Sequence, residues 1–276
     1  PAGGELYGRI SKIAWGRDYH FILKEKMEAL MEAIGEEIMP MKYMAFADTG
    51  PLVDRGVAHR AGLGNYGKNG FIIHRDYGSF FVIGNILVDR EIEIDQRLGQ
   101  DICGDCTKCI RACPTGALEG PFSFNAQKCI SYITQKKGIL GDEERQHMGN
   151  HIYGCDICQM VCPYNRKART TDIQDFKPHP NLAYPKLPDL LKMTNSEFRQ
   201  TYGITSAGWR GKKVLQRNAI IALGNSRKRD ALPLLRGCLK DARWEIRLYA
   251  IWALFQCGEE GRRMVQDWLE AEDHPE

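Results

Sequence analysis

Residues 103–114 read CGDCTKCIRACP, and this stretch decides the class of protein. Its cysteines follow the spacing C-x2-C-x2-C-x3-C-P, which is typical of a protein with two [4Fe–4S] clusters. The close spacing lets three thiolates of one loop bind one cubane cluster. Pro114 turns the chain away after the fourth cysteine, which thereby faces a second cluster.

A second set of cysteines completes the pattern. The stretch CDICQMVCP, residues 155–163, carries three of them, and the fourth is displaced upstream by an insertion. Each cluster is expected to take three cysteines from one set and the last from the other. The first cluster is assigned Cys103, Cys106, Cys109 and Cys162, and the second Cys113, Cys129, Cys155 and Cys158. Zinc is the alternative, because zinc sites also use C-x2-C pairs.

The other two of the ten cysteines, Cys238 and Cys257, lie in apolar helical context, where we predict core residues. Two neighbouring clusters conduct electrons. They favour a reducing compartment, so we predict a cytoplasmic protein.

Composition is typical of a globular chain, with 43% hydrophobic and 26% charged residues among 276. No stretch approaches the roughly 18 apolar residues that cross a bilayer, so we predict no membrane association. The chain begins with Pro1 and not Met, from which we expect a trimmed or incomplete N-terminus.

The net charge of +3 is unevenly distributed. Residues 209–247 contain eleven Lys or Arg against three acids, a local charge of +8. This is either a solvated helical face or a surface that binds phosphates, and both interpretations stay open here.

Three domains are expected, in an α+β multidomain fold. Residues 1–98 are mixed α/β, with a helix over residues 20–34 and two strands within residues 71–89 around a turn at residues 76–78. The apolar face of the helix is predicted to be core: Leu23, Met27, Leu30, Met31 and Ile34. Residues 99–168 form the ferredoxin-like two-cluster domain.

Residues 169–276 begin with a polar connecting segment and become helical from about residue 185. Two stretches there align at a spacing of 31 residues, with Ala219 on Ala250 and Ala222 on Ala253. Paired helices that repeat at this spacing predict a short HEAT-like unit.

The stretch AGLGNYGKN, residues 61–69, resembles two nucleotide-binding motifs. A dinucleotide fingerprint needs a strand before it and a helix after it, and neither is indicated here. The P-loop reading fails because Asn69 stands where a hydroxyl would hold Mg²⁺. We predict that the glycines let the backbone approach a ligand or a packed strand.

Asp48 ends the apolar run MAFA. Desolvation there would raise its pKa and suit a general acid. Alternatively, Asp48 caps the turn at Gly50 and Pro51, and its local sequence favours neither role.

The motifs together resemble the epoxyqueuosine reductase family. The resemblance rests on WGRDYH (15–20), DTGPLVDRGVAHRAGLGNYGKN (48–69), CGDCTKCIRACPTGAL (103–118), NAQKCISYITQ (125–135), MGNHIYGCDICQMVCPYN (148–165) and WRGKKVLQRNAIIALGN (209–225). It covers nearly the whole chain in order. Members of that family usually begin well upstream of WGRDYH, so we expect an N-terminally incomplete member.

The resemblance implies an enzyme with cobalamin and two [4Fe–4S] clusters that reduces epoxyqueuosine to queuosine at the wobble position of tRNA, the final step of queuosine biosynthesis. It implies a cobalamin-binding α/β core, a ferredoxin-like domain and a helical repeat. Asp48 falls on the family's proton donor. The implied cobalamin contacts are Ser11, Asp48, Lys68, Ile72 and Asp156, and the glycines at 62–67 would help line that pocket.

For tRNA, the resemblance directs attention to the basic stretch, with Arg210, Lys212, Lys213 and Arg217 predicted on phosphates. The expected partners are an anticodon stem-loop carrying epoxyqueuosine and an electron donor such as flavodoxin or ferredoxin, with the chain as a monomer. Three alternatives remain: a reductive dehalogenase-like corrinoid enzyme, a ferredoxin-type electron carrier, and an RNA-binding module with structural clusters.

Overall fold

The computed structural model describes residues 6–37, 41–93, 101–179 and 182–271. The chain forms two compact units. The mixed unit comprises residues 16–126 and 156–177, and the helical unit comprises the described parts of residues 1–15, 127–155 and 178–276. The predicted boundary between residues 98 and 99 lies outside the described residues. Within the described ranges, no helix is long and apolar enough to cross a membrane.

The described residues contain short β-strands and twelve α-helices. The strands are β1 (Arg9–Ile10), β2 (Tyr43–Phe46), β3 (Asn65–Tyr66), β4 (Ile72–Ile73), β5 (Asn85–Val88), β6 (Leu118–Gly120), β7 (Ser123–Phe124) and β8 (His151–Tyr153). The helices are α1 (Tyr19–Glu37), α2 (Asp54–Arg60), α3 (Lys108–Ala112), α4 (Ile130–Ile133), α5 (Asp142–His147), α6 (Ile157–Met160), α7 (Leu187–Lys192), α8 (Asn195–Thr201), α9 (Lys212–Ser226), α10 (Leu232–Cys238), α11 (Trp244–Gln256) and α12 (Glu259–Ala271).

The mixed unit is built on three antiparallel strand pairs, β2 with β5, β3 with β4, and β6 with β7. The predicted turn near residues 76–78 is confirmed, because the backbones of His74 and Gly78 bond to each other at 2.7 and 3.0 Å. The two strands predicted around it also exist. They pair with other strands and not with each other.

The predicted helix of residues 20–34 is confirmed as α1. Met27 and Met31 are buried, and the Met27 sulfur lies against Gly84, next to β5. The prediction that Leu30 belongs to the core is wrong, since its side chain is 51% exposed. The rest of the unit covers only part of the apolar face of α1, and Leu30 lies outside the covered part.

The helical unit holds a continuous core to which α7 and α9–α11 contribute. The four alanines aligned in the two repeats, on α9 and α11, are at most 1% exposed. Gly224 marks the closest approach of these helices, because a Cβ added there would lie 2.7 Å from the Cα of Ala253. Small residues thus let α9 and α11 pack directly against each other.

Replacing Gly224 by alanine is expected to destabilise the helical unit by about 1–3 kcal/mol, because the added methyl group overpacks the contact with Ala253. Gly237 on α10 is the matched control, since a Cβ there meets nothing within 4 Å. Gly237→Ala should be neutral or stabilise by up to about 1 kcal/mol. Thermal unfolding under anaerobic conditions measures both, and equal Tm values for the two variants would contradict the packing argument.

Candidate cluster, proton-donor and tRNA sites

The four cysteines assigned to the first cluster come together in the mixed unit. Cys109 lies in α3, and Cys162 follows α6, a helix that packs against α3. Burial raises the pKa of Cys109, and the neighbouring Cys103 and Cys162 add to that effect. Burial likewise raises the pKa of Cys162, with Cys103 and Cys106 adding to it. Four neighbouring thiolates would repel each other, so this group of cysteines needs a cation to balance their charge. Iron fulfils this need, because a thiol that binds a metal ion loses its proton.

The loop of the first cluster is held by residues that the spacing argument did not select. Asp101 accepts hydrogen bonds from the backbone N–H groups of Cys103 and Gly104, at 2.9 and 3.3 Å. The Tyr164 hydroxyl donates to the Ile102 carbonyl at 3.0 Å and so links this loop to the segment after Cys162. In the sequence, Asp101 and Tyr164 are recognisable only as polar residues next to the cysteine motifs.

The cysteines assigned to the second cluster are divided between the units, with Cys113 and Cys158 in the mixed unit and Cys129 and Cys155 in the helical unit. Burial acts to raise the pKa of Cys113, but hydrogen bonds from Thr115 and nearby backbone lower it overall. This ligand set remains a prediction from the spacing. Within the described residues, no three His, Cys, Asp or Glu side chains lie close enough to hold a single ion.

The glycines of AGLGNYGKN have structural explanations. Gly62 adopts a positive φ of 71° just after α2. Its N–H donates to the His59 carbonyl at 3.1 Å, and the N–H of Leu63 donates to the Ala58 carbonyl at 2.9 Å. This is a Schellman motif, which ends the helix and favours glycine.

The other two glycines pack against β4. A Cβ on Gly64 would lie 2.6 Å from the Ile73 carbonyl oxygen, and one on Gly67 would lie 2.6 Å from the Ile73 side chain. Of the two outcomes predicted for these glycines, the packed strand is therefore the one observed. Gly64 and Gly67 permit the tight β3–β4 hairpin.

Asp48 lies on a tightly constrained loop after β2. Its φ of 60° is rare for a residue other than glycine. The Asp54 carboxylate accepts a hydrogen bond from the Asp48 N–H at 2.7 Å, and a Cβ on Gly50 would collide with the ring of Phe46. The Asp48 side chain is 68% exposed, so the desolvation that we expected of it is not observed. The loop therefore presents an exposed carboxylate on a fixed backbone.

His20, in the first turn of α1, lies beside Asp48, and Asp18, just before the helix, contacts His20. The Nε2 atom of His20 is buried and lies 3.6 Å from the Asp48 Oδ2 atom. The other ring nitrogen, Nδ1, lies 2.7 Å from Oδ1 of Asp18, whose side chain is 1% exposed. The Asp18 carboxylate therefore holds the imidazole ring in place. Only the fold shows that His20 faces Asp48 and that Asp18 contacts His20.

The other predicted cobalamin contacts differ in their surroundings. Lys68 is 8% exposed and donates a hydrogen bond from Nζ to the Gly104 carbonyl. Ile72 is 3% exposed in β4, and Asp156 is half-buried before α6. Ser11 is 8% exposed and lies in the helical unit. Their roles as cofactor contacts stay predictions.

Arg217 was predicted on phosphates, but the structure assigns it to the interior. It is 5% exposed on α9, and its guanidinium donates to the carbonyls of Lys136 at 2.8 Å and Thr134 at 3.3 Å. Asn218 donates to the same Thr134 carbonyl at 2.8 Å. A guanidinium occupied in this way ties α9 to the loop after α4, so we remove Arg217 from the phosphate-binding set.

The remaining basic candidates are closer to the surface. Arg210 is exposed, and its Nε donates to the Gln135 side chain at 3.3 Å. Lys213 pairs with Glu245 at 2.6 Å, which lowers the pKa of Glu245. Lys212 is half-buried and donates to the Met193 carbonyl at 3.2 Å. Some of the side chains that make up the +8 charge therefore already contact other groups of the helical unit.

Three family models match the chain. The 4Fe-4S double cluster binding domain matches residues 102–165, which contain all eight cysteines of the two sets. Epoxyqueuosine reductase QueG, DUF1730, matches residues 2–49, and HEAT repeats match residues 210–275. The prediction of a two-cluster domain and a HEAT-like repeat is confirmed.

Among the curated relatives, the epoxyqueuosine reductase of Staphylococcus aureus (strain NCTC 8325 / PS 47) is 43% identical over 272 residues, which are 98% of this chain and 71% of that protein. The chain belongs to the epoxyqueuosine reductase family. Membership decides against the dehalogenase-like and electron-carrier alternatives, and epoxyqueuosine reductases carry two [4Fe–4S] clusters and depend on cobalamin.

Solved epoxyqueuosine reductases share the fold. One, from Bacillus subtilis, has its aspartate catalytic loop swung out of the active site; it matches with a TM-score of 0.90 and 40% identity, over 98% of this chain and 72% of that one. Another contains an epoxyqueuosine-modified tRNA-Tyr stem loop, and it matches with a TM-score of 0.91 and 41% identity over the same shares.

Proposed function

We propose that this chain is an oxidoreductase that reduces epoxyqueuosine to queuosine in tRNA, with electrons delivered through its two [4Fe–4S] clusters. The observation that carries the proposal is the open Asp48 carboxylate backed by His20 and Asp18, in a member of the epoxyqueuosine reductase family. The loop of Asp48 is the counterpart that we propose for the catalytic aspartate loop of the B. subtilis enzyme.

The reaction needs proton delivery as well as electrons. Conversion of an epoxide into an alkene and water consumes two electrons and two protons: the C–O bonds break, and the oxygen leaves as water. A protonated Asp48 donates to the oxygen as the first C–O bond opens. We propose that the second proton follows the same route, which requires that Asp48 be reprotonated.

His20 is placed to supply that proton. Its Nε2 faces the Asp48 carboxylate at 3.6 Å, and Asp18 holds Nδ1 at 2.7 Å. We therefore propose a relay from His20 to Asp48 to the substrate oxygen.

Cobalamin is the cofactor of this family. The surroundings of Asp48, the proposed acid, fit a bound cofactor. The Asp48 carboxylate is exposed and can contact a cofactor bound beside its loop. The loop itself is fixed by the hydrogen bond from the Asp48 N–H to the Asp54 carboxylate. The predicted contacts within the mixed unit, Asp48, Lys68, Ile72 and Asp156, would hold the cofactor. When bound, cobalamin supplies the electron pair that opens the epoxide.

The finer organisation is also a proposal. We assign residues 1–98 to a partial cobalamin-binding α/β core, 99–168 to the cluster domain and 169–276 to a helical region that binds an anticodon stem-loop. A single-electron protein such as flavodoxin or ferredoxin would reduce the clusters. We propose a monomer that works in the cytoplasm, where the cysteine thiols that bind the clusters stay reduced.

The direct test is an anaerobic reaction. Reconstituted protein, cobalamin and a low-potential reductant are mixed with tRNA that bears epoxyqueuosine, and the digested nucleosides are analysed by mass spectrometry. Loss of one oxygen atom from the modified nucleoside is the expected result. Unchanged epoxyqueuosine, with both clusters and cobalamin bound, would refute the proposed reaction for this chain.

Arg210→Ala is expected to weaken binding of the stem-loop and to lower the slope of log affinity against log salt by about one, because one phosphate contact is lost. Fluorescence anisotropy at several salt concentrations measures both quantities. The exposed Arg263 of α12 is the matched control, and Arg263→Ala should leave the slope unchanged.

Arg217→Met separates the surface role from the interior role. It leaves the Thr134 and Lys136 carbonyls without their charged donor, so it should lower the Tm. A normal Tm together with a reduced salt slope in Arg217→Met would restore Arg217 to the tRNA surface.

A further inference from the structure

The β3–β4 turn carries a buried cation, Lys68, which contacts the loop assigned to the first cluster. Lys68 lies within the stretch GNYGKNG, which neither nucleotide motif explains. The turn is closed by hydrogen bonds from the Gly67 N–H to the Phe71 carbonyl and from the Gly70 N–H to the Gly67 carbonyl, both at 2.8 Å. Gly70 has a φ of 78°. The backbone on both sides of Lys68 is therefore fixed.

Lys68 bridges two segments of the cluster domain. Its Nζ donates to the carbonyl of Gly104, the residue between Cys103 and Asp105 in the cluster loop. Its own carbonyl accepts a hydrogen bond from the Phe122 N–H at 3.3 Å, in the β6–β7 hairpin. A lysine that is only 8% exposed is unusual, because burial of an ammonium group costs free energy unless it is paired.

A negative cluster supplies a reason to retain such a charge. A [4Fe–4S] cluster with four thiolates is an anion, and one-electron reduction makes it more negative. A buried ammonium beside the loop stabilises the reduced state more than the oxidised state. Net charge and hydrogen bonds around a cluster set its potential in this way.

We propose that Lys68 is a positioning residue of the first cluster: it holds the Cys103–Cys106 loop through the Gly104 carbonyl, and its ammonium charge raises the cluster's reduction potential. The proposal rests on the ligand assignment of the first cluster. It is independent of the tRNA reaction, and its test contains neither tRNA nor cobalamin.

The test is EPR-monitored redox titration of anaerobically reconstituted protein, with iron and sulfide determined for each preparation. In Lys68→Met, one of the two clusters should titrate at a more negative potential, or should be lost. Lys68→Arg, which keeps the charge, should retain both clusters near their original potentials. Lys26→Met, on the exposed face of α1, is the matched control and should change nothing.

A double variant identifies which cluster responds. Cys109→Ala leaves the second cluster as the only signal, and adding Lys68→Met should not move its midpoint potential. Two outcomes would overturn the proposal. One is a Lys68→Met protein with full iron content and both potentials unchanged, and the other is Lys68→Arg behaving like Lys68→Met.

Discussion

Asp48→Asn is expected to lower the rate of epoxyqueuosine reduction by about 10²–10⁴-fold, the usual contribution of a general acid. The amide cannot donate a proton to the opening oxygen, yet it keeps the size of the side chain. The clusters, the loop held by Asp54 and the binding of tRNA should be unaffected. Single-turnover assays with pre-reduced protein measure the rate, and iron content verifies that both clusters are present.

His20 tests the relay behind that acid. His20→Asn should reduce the rate by a smaller factor, on the order of tenfold, because water can also reprotonate Asp48. It should also change the shape of the pH–rate profile, which a purely structural role would leave in place. His147→Asn on α5 is the matched control, since that side chain is exposed. Undiminished activity in Asp48→Asn would remove the acid role from Asp48 and the relay with it.

Cys109→Ala is expected to remove one [4Fe–4S] cluster and abolish turnover, because electrons must pass through both clusters. Iron and sulfide per chain should fall by half, and the EPR spectrum of the reduced protein should keep one signal. Cys162→Ala should remove the same cluster, since these two cysteines lie in one group with Cys103 and Cys106. Cys129→Ala should remove the other.

The matched control for the cluster variants is Cys257→Ala. This half-buried cysteine packs against the core of the helical unit, and burial raises the pKa of its thiol. Its loss should leave the iron content and turnover intact. If Cys162→Ala and Cys109→Ala removed different clusters, the crossed assignment of ligands would be wrong.

The sequence alone was sufficient for the class of protein and for most of the helical repeat. Cysteines at fixed short spacings can be recognised directly in the sequence, because one loop supplies several ligands of a cluster. The repeat could be read as well, since alanines 31 residues apart report helices that pack closely. Leu30 shows the limit of such patterns: an apolar stripe does not tell how wide a surface will cover it.

The tertiary structure decided which polar groups act together. Arg217 and Arg210 are equivalent in a charge count, yet one guanidinium is buried on backbone carbonyls and the other is exposed. The physical reason is that a long cationic side chain can be buried if backbone carbonyls accept its hydrogen bonds. Composition contains no information about that path.

The same holds for the proton donor and for the glycine motif. Asp48 is separated from His20 by 28 positions in sequence, and only the packing of α1 beside β2 brings their side chains within 3.6 Å. Lys68 reaches Gly104 because Gly64 and Gly67 allow a hairpin too tight for any larger residue. Local spacing predicted the iron ligands, whereas contacts between distant segments placed His20 beside Asp48 and Lys68 beside the loop of Cys103 and Cys106.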